Sequence, residues 1–118
     1  MMLVVDAAAH VPPYEQVRSQ IEGLVAEGEL APGHRLPTVR RLAGDLGLAV
    51  NTVARAYREL EQAGVIQTRG RRGTFVAVRG ADRERELRLA AELYARRARE
   101  LGAGVDAALR AARSALDA

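Results

Sequence analysis

A chain of 118 residues is about one domain long, with room for a small appendage. Its 48% hydrophobic content argues against general disorder, and the absence of cysteine excludes disulfides, thiolate catalysis and zinc-finger ligation. The net charge is only +3, but residues 35–79 hold nine arginines against three acids, +6, while 1–34 sum to −4 and 80–118 to +1. All 18 basic residues are arginine. Codon preference can explain the missing lysine but not the clustering, which points to one anionic partner met by one segment.

The opening MMLVVDAAAH has no basic stretch and carries Asp6 early, so no secretory leader is expected. No apolar run approaches the roughly 18 residues of a membrane span, and a cytoplasmic protein with no membrane partner is the expectation. Residues 1–11 read as an N-terminal extension. The prolines of VPPYEQVRSQIEGLVAEGEL suit a helix start. Tyr14, Val17, Ile21, Leu24 and Val25 then form an apolar stripe of helical period, which Gly28 stops. In LAPGHRLPT, Pro32-Gly33 fits the central pair of a type II turn. Thr38 is placed to cap a second helix, with Val39, Leu42, Ala43 and Leu46 on its inner face and Gly47 at its end.

In the third helix, LAVNTVARAYREL, Val53, Ala56, Tyr57 and Leu60 form the inner stripe and Gly64 the stop. Asn51, Thr52, Arg55 and Arg58 gather outside it. Two helices joined by a turn of about four residues around a glycine make a helix-turn-helix candidate. VIQTRGRRGTFVAV then reads as strand, basic glycine-bounded tip, strand. Three helices and a hairpin in that order predict a winged helix.

The pieces PGHRLPTVRRLAGDLG, NTVARAYRELEQAGVI and RRGTFV, in this order and spacing, resemble the DNA-binding domain of the GntR family of bacterial transcription regulators. The likeness covers residues 12–78. The short remainder resembles the YtrA-type branch, in which two C-terminal helices follow the winged helix. The resemblance implies duplex contacts at Thr38 and Arg40, at the N-terminal turn of the third helix, and at Arg71, Arg72, Gly73 and Thr74 of the wing. Independently, Asn can pair with adenine and Arg with guanine, and a recognition helix offers its N-terminal residues to the base edges. Asn51, Thr52 and Arg55 occupy that end, and Arg58 lies one turn beyond. Arg41 is about 100° round the helix from Arg40, toward solvent. The chain departs from the family where Ala49 and Val50 replace a hydroxyl residue and an arginine, so Asn51 is expected to cap the third helix as well as contact DNA. The wing tip GRRG is one residue longer than usual.

His10 and His34 are isolated, and no Ser, His and acid arrangement stands out, so neither a metal nor a cofactor nor an enzymatic site is expected. In residues 80–118, two helices are expected, at about 82–101 and 105–117, broken at Gly102 and Gly104. Leu87, Ala91, Tyr94, Ala98 and Leu101 recur at helical spacing, and Leu93 widens the face. A second copy packing on this face would account for it; folding back on the chain's own domain is the alternative.

The expected fold is therefore mostly α with a small β-hairpin, a winged helix-turn-helix over 12–79 followed by a C-terminal helical dimerisation region over 80–118. The expected function is a homodimeric regulator, a repressor that occupies a palindromic operator in double-stranded DNA. Two other readings fit the residues: a sensor with a small-molecule effector between subunits, and a winged helix used for protein docking.

Overall fold

The computed structural model describes residues 1–118, apart from the side chain of Ala81. Two compact units result, Met1–Val78 and Arg79–Ala118.

In the first unit, α1 (Pro13–Ala26), α2 (Val39–Leu46) and α3 (Val50–Gln62) surround one apolar core. Proline at the first helical position of α1 costs no hydrogen bond there. The expected stripes supply the core: Val17 and Ile21 of α1, Leu42 and Ala43 of α2, and Val53, Ala56, Tyr57 and Leu60 of α3 are all buried. Thr38 caps α2 as expected, its Oγ1 accepting from the Arg41 N–H at 3.1 Å. Gly33 has φ +81° and His34 N–H donates to Ala31 O at 3.0 Å, which is the expected type II turn.

The wing is an antiparallel pair, β1 (Ile66–Thr68) and β2 (Thr74–Val76), joined by a 3₁₀ turn at Gly70–Arg72. The structure adds a third, single-residue strand that the sequence pattern does not reveal: Arg35 bridges Phe75 antiparallel. Leu36 N–H donates to Thr74 O at 2.8 Å and Val76 N–H to His34 O at 2.8 Å. Ile66, Val76 and Leu36 turn to the core. The wing is thereby sewn to the segment that leads into α2.

The first residues also belong to this unit. Leu3 and Val5 pack against the core, and the stretch is held along α1 by two glutamines one turn apart. Gln20 accepts from Val4 N–H at 3.0 Å and donates to Val4 O at 2.7 Å. Gln16 does the same for Asp6, at 2.8 Å in both directions.

In the second unit, α4 (Gly80–Glu100) and α5 (Val105–Leu116) are joined by a turn with Gly102 at φ +71°. The Tyr94 hydroxyl donates to Ala108 O at 2.7 Å, tying the two helices together. Both helices keep much of their apolar surface in water: Leu87, Leu93, Leu101 and Leu109 are 62–69% exposed.

Candidate nucleic-acid interface

The outer side of α3 begins at Val50, with Ala49 in the N-cap position at φ −65° and ψ 144°. Alanine has no oxygen to offer, and no side chain caps this helix. Asn51 therefore lies inside the first turn and does not cap, contrary to the expectation from the missing hydroxyl at 49. Capping needs an oxygen on the N-cap residue itself, reaching forward to the free N–H groups of the first turn, and that position is held by Ala49, two residues before Asn51. The amide is exposed and, among the described residues, makes no intrachain hydrogen bond, so it is free for a partner. Thr52 beside it is half-buried.

Arg55 is exposed but not loose. Its guanidinium stacks on the Tyr14 ring of α1, 3.7 Å from the centroid, and Nε donates to Glu59 Oε2 at 3.3 Å. The two terminal nitrogens keep their donors. Arg58 and Arg40 are exposed with no carboxylate within 4 Å among the described residues. Arg41 instead reaches its own helix neighbour Asp45 at 3.9 Å. Thr38 is exposed at the start of α2, with its oxygen already used as the cap.

Helix α3 is fixed relative to the α2 entry by Tyr57, whose hydroxyl donates to Pro37 O at 2.7 Å. Burial pushes this phenol well above the ordinary tyrosine range. The bond joins the recognition-helix candidate to the Leu36-Pro37-Thr38 corner, so Thr38, Arg40 and the outer side of α3 are held as one surface.

At the wing, Arg71 and Arg72 are exposed in the 3₁₀ turn, followed by Gly73 and the half-buried Thr74. Gly73 has φ +113°, where a side chain would be strained, and a Cβ there would lie 2.9 Å from Arg35 Nε. Arg69 stacks over the Phe75 ring at 4.7 Å. Sequence reasoning missed Arg35 and Arg69. Arg35 lies in a turn-like PGHRLP stretch and joins the wing only through a single-residue bridge, whereas Arg69 could have been found from the alternation of the hairpin strands.

Of the tail residues expected to pair two copies, Leu87, Ala91, Leu93 and Leu101 are exposed, and Tyr94 is 42% exposed with its hydroxyl engaged by Ala108. Ala98 differs: it is only 9% exposed, covered within its own chain. The stripe is thus split, with Ala98 packing at home and the leucines left open. A concavity of about 720 Å³ is formed by α5 and its C-cap alone and is an open helix surface. None of the described residues makes a His, Asp and Glu cluster able to hold a metal ion, and no described helix is long and apolar enough to cross a membrane.

Comparison with known proteins agrees with this arrangement. The chain is 52% identical over 100 residues to the HTH-type transcriptional regulator Rv1152 of Mycobacterium tuberculosis, spanning 85% of this chain and 82% of that protein. It is 41% identical over 76 residues to the HTH-type transcriptional repressor YtrA of Bacillus subtilis, spanning 64% of this chain and 58% of the relative. Among solved structures, YtrA of Sulfolobus acidocaldarius, described as a GntR-family transcription factor, superposes with a TM-score of 0.63 at 32% identity, over 79% of this chain and 98% of the other. The AraR DNA-binding domain, solved in complex with its operator ORE1, superposes with a TM-score of 0.55 at 26% identity over 65% of this chain and 94% of its own. The sequence profile of the bacterial regulatory proteins of the gntR family matches residues 13–76, which takes in all three helices of the first unit and both strands of the wing, and the chain belongs to this family of DNA-binding transcription regulators.

Proposed function

We propose that the protein binds a palindromic operator as a homodimer and represses by occupying it. Each copy would place the N-terminal half of α3 in a major groove, with Asn51 and Arg55 toward the bases and Arg58 at the groove edge. Arg40 and Thr38 would meet the backbone beside it, and Arg71, Arg72, Gly73 and Thr74 would lie over the flanking minor groove or its phosphates. The observation that carries the reading is the outer side of α3: an unengaged Asn51 amide beside an arginine held by its own fold, on a basic segment with few internal carboxylate partners. The repressor sense is supported by the relative YtrA of Bacillus subtilis, whose name states it. The operator mode is supported by the AraR domain, which was solved on its operator.

Selection of the full chain against random duplexes tests the proposal. Enrichment of two inverted half-sites spaced by about one helical turn or a multiple is the expected result. Failure to enrich any sequence at low salt would favour the winged helix as a protein-docking module. A shift in melting temperature with a metabolite, and a matching loss of operator binding, would instead favour the sensor whose effector sits between subunits.

A further inference from the structure

The wing has two faces, and only one is accounted for by the core. Directly opposed residues of paired strands share a face, and successive residues alternate. Ile66 pairs with Val76, and both are buried. Gln67 pairs with Phe75, and Arg35 bridges the same Phe75, so these three share the outward face. Arg69 N–H donates to Gly73 O at 2.8 Å, which carries Arg69 and Gly73 onto that face too. The outer face therefore holds two guanidiniums, one over the Phe75 ring and one over Gly73.

Both arginines are crossed over their neighbours. Arg69, opposite Gly73, lays its guanidinium over Phe75 at 4.7 Å. Arg35, opposite Phe75, lays its own over Gly73, filling the space a Cβ would take at 2.9 Å from Nε. Both are exposed, and neither has a carboxylate within 4 Å among the described residues. A guanidinium packed flat keeps its edge donors for a planar or tetrahedral anion and loses less rotamer freedom on binding than a free one. Arg71 and Arg72, in the exposed turn, lack such support.

We infer that this outer wing face, Arg35 and Arg69 set on Gly73 and Phe75, is a further surface for duplex phosphates, adjoining the exposed turn that carries Arg71 and Arg72. It rests on the proposed duplex binding. Phosphate contacts fix register and carry no sequence information of their own, so the surface should act on all sequences alike. Phe75 is here a positioning residue for Arg69, as Gly73 is for Arg35.

The test uses the full chain and a mixed-sequence duplex of about three helical turns, with affinity followed against salt. Arg35→Met and Arg69→Met keep the stems and remove the charges. Each should weaken binding several-fold at about 0.1 M salt and flatten the log–log salt slope by about one for every phosphate left without its arginine. The double variant should flatten it further, with near wild-type melting temperatures throughout; Gln versions replace Met if solubility falls. Phe75→Leu should weaken binding while leaving the slope unchanged, and Phe75→Tyr should restore it. Wild-type slopes in the arginine variants would overturn the inference and leave duplex binding standing. A wild-type chain that binds no duplex would remove the reading on which the inference rests. If poly-glutamate competes as well as duplex and the variants lose both equally, the face belongs to an acidic protein partner and the assignment to DNA fails.

Discussion

Arg55 shows how a single side chain can belong both to the fold and to the interface. Its face is spent on Tyr14 and its Nε on Glu59, in a pair whose side chains are 55% and 37% exposed. At such exposure the ion pair is worth about 0.2–1 kcal/mol and the ring contact about 0.5–1 kcal/mol, so the hold is real but modest. What it achieves is aim, because the terminal nitrogens are presented from a restrained side chain. Arg55→Ala should cost about 1–3 kcal/mol of specific operator binding. Tyr14→Leu, which leaves the charge, should cost about 0.5–1 kcal/mol and keep the sequence preference. Titration of both variants against the selected operator and a one-base mutant decides it; an unchanged preference in Arg55→Ala would return that residue to a purely structural role.

Tyr57 supplies a second residue-scale test. Its phenol is raised above the free tyrosine value of about 10 because burial disfavours the phenolate. The folded state thus holds the proton more tightly than the unfolded one. Its contribution to stability is complete below about pH 10 and declines as pH rises above that value. Wild-type stability should therefore fall above about pH 10, and Tyr57→Phe should lose that component of the decline. At neutral pH the same variant should be destabilised by about 1 kcal/mol, since Pro37 O loses its donor. Urea titrations at neutral and alkaline pH would show both effects. A wild-type decline that persists undiminished in Tyr57→Phe would place its cause elsewhere.

At the scale of elements, the wing depends on backbone as much as on charge. Gly73 at φ +113° is denied to other residues by conformation, and the Arg35 guanidinium fills its open side. Gly73→Ala should cost about 1–3 kcal/mol of stability and dislodge Arg35 from the wing. Melting curves check the first effect, and a flattened salt slope of duplex binding checks the second. The helices are legible in the sequence because burial imposes a period: Val17 and Ile21, Leu42 and Ala43, and Val53 through Leu60 fall where a 3.6-residue repeat puts them. Thr38 and the Pro32-Gly33 turn are legible because their chemistry is local. The third strand at Arg35 is not, since a one-residue bridge close to a proline has no alternation to detect. Nor are the glutamine clamps on Val4 and Asp6, because a side chain pairing with an extended backbone leaves no periodic signature. Within the candidate site, residue types signal the outer side of α3, but only packing shows that Arg55 is held and that Asn51 is free of the cap.

At the scale of the whole molecule, the open leucines of residues 79–118 carry the proposed dimer. Leu87, Leu93 and Leu101 are 62–69% exposed, although a leucine gains about 1.5–3 kcal/mol by full burial. Ala98 is already covered within its chain and cannot be part of the seam as it stands, so the contact should run along the leucines. One winged helix alone buries on the order of 600–1,000 Å² on DNA and should bind weakly. Joining two makes the second contact intramolecular and can raise affinity by about 10²–10⁴. Leu93→Asp and Leu101→Asp should therefore give a folded monomer that still recognises a half-site and no longer distinguishes half-site spacings. Ala98→Asp should differ, lowering the stability of the second unit itself, because it places a charge at a site covered within one chain. Sedimentation of the wild type and the two leucine variants is the deciding measurement. A wild-type dimer that survives both substitutions would mean that another surface joins the copies and that these leucines have a different partner.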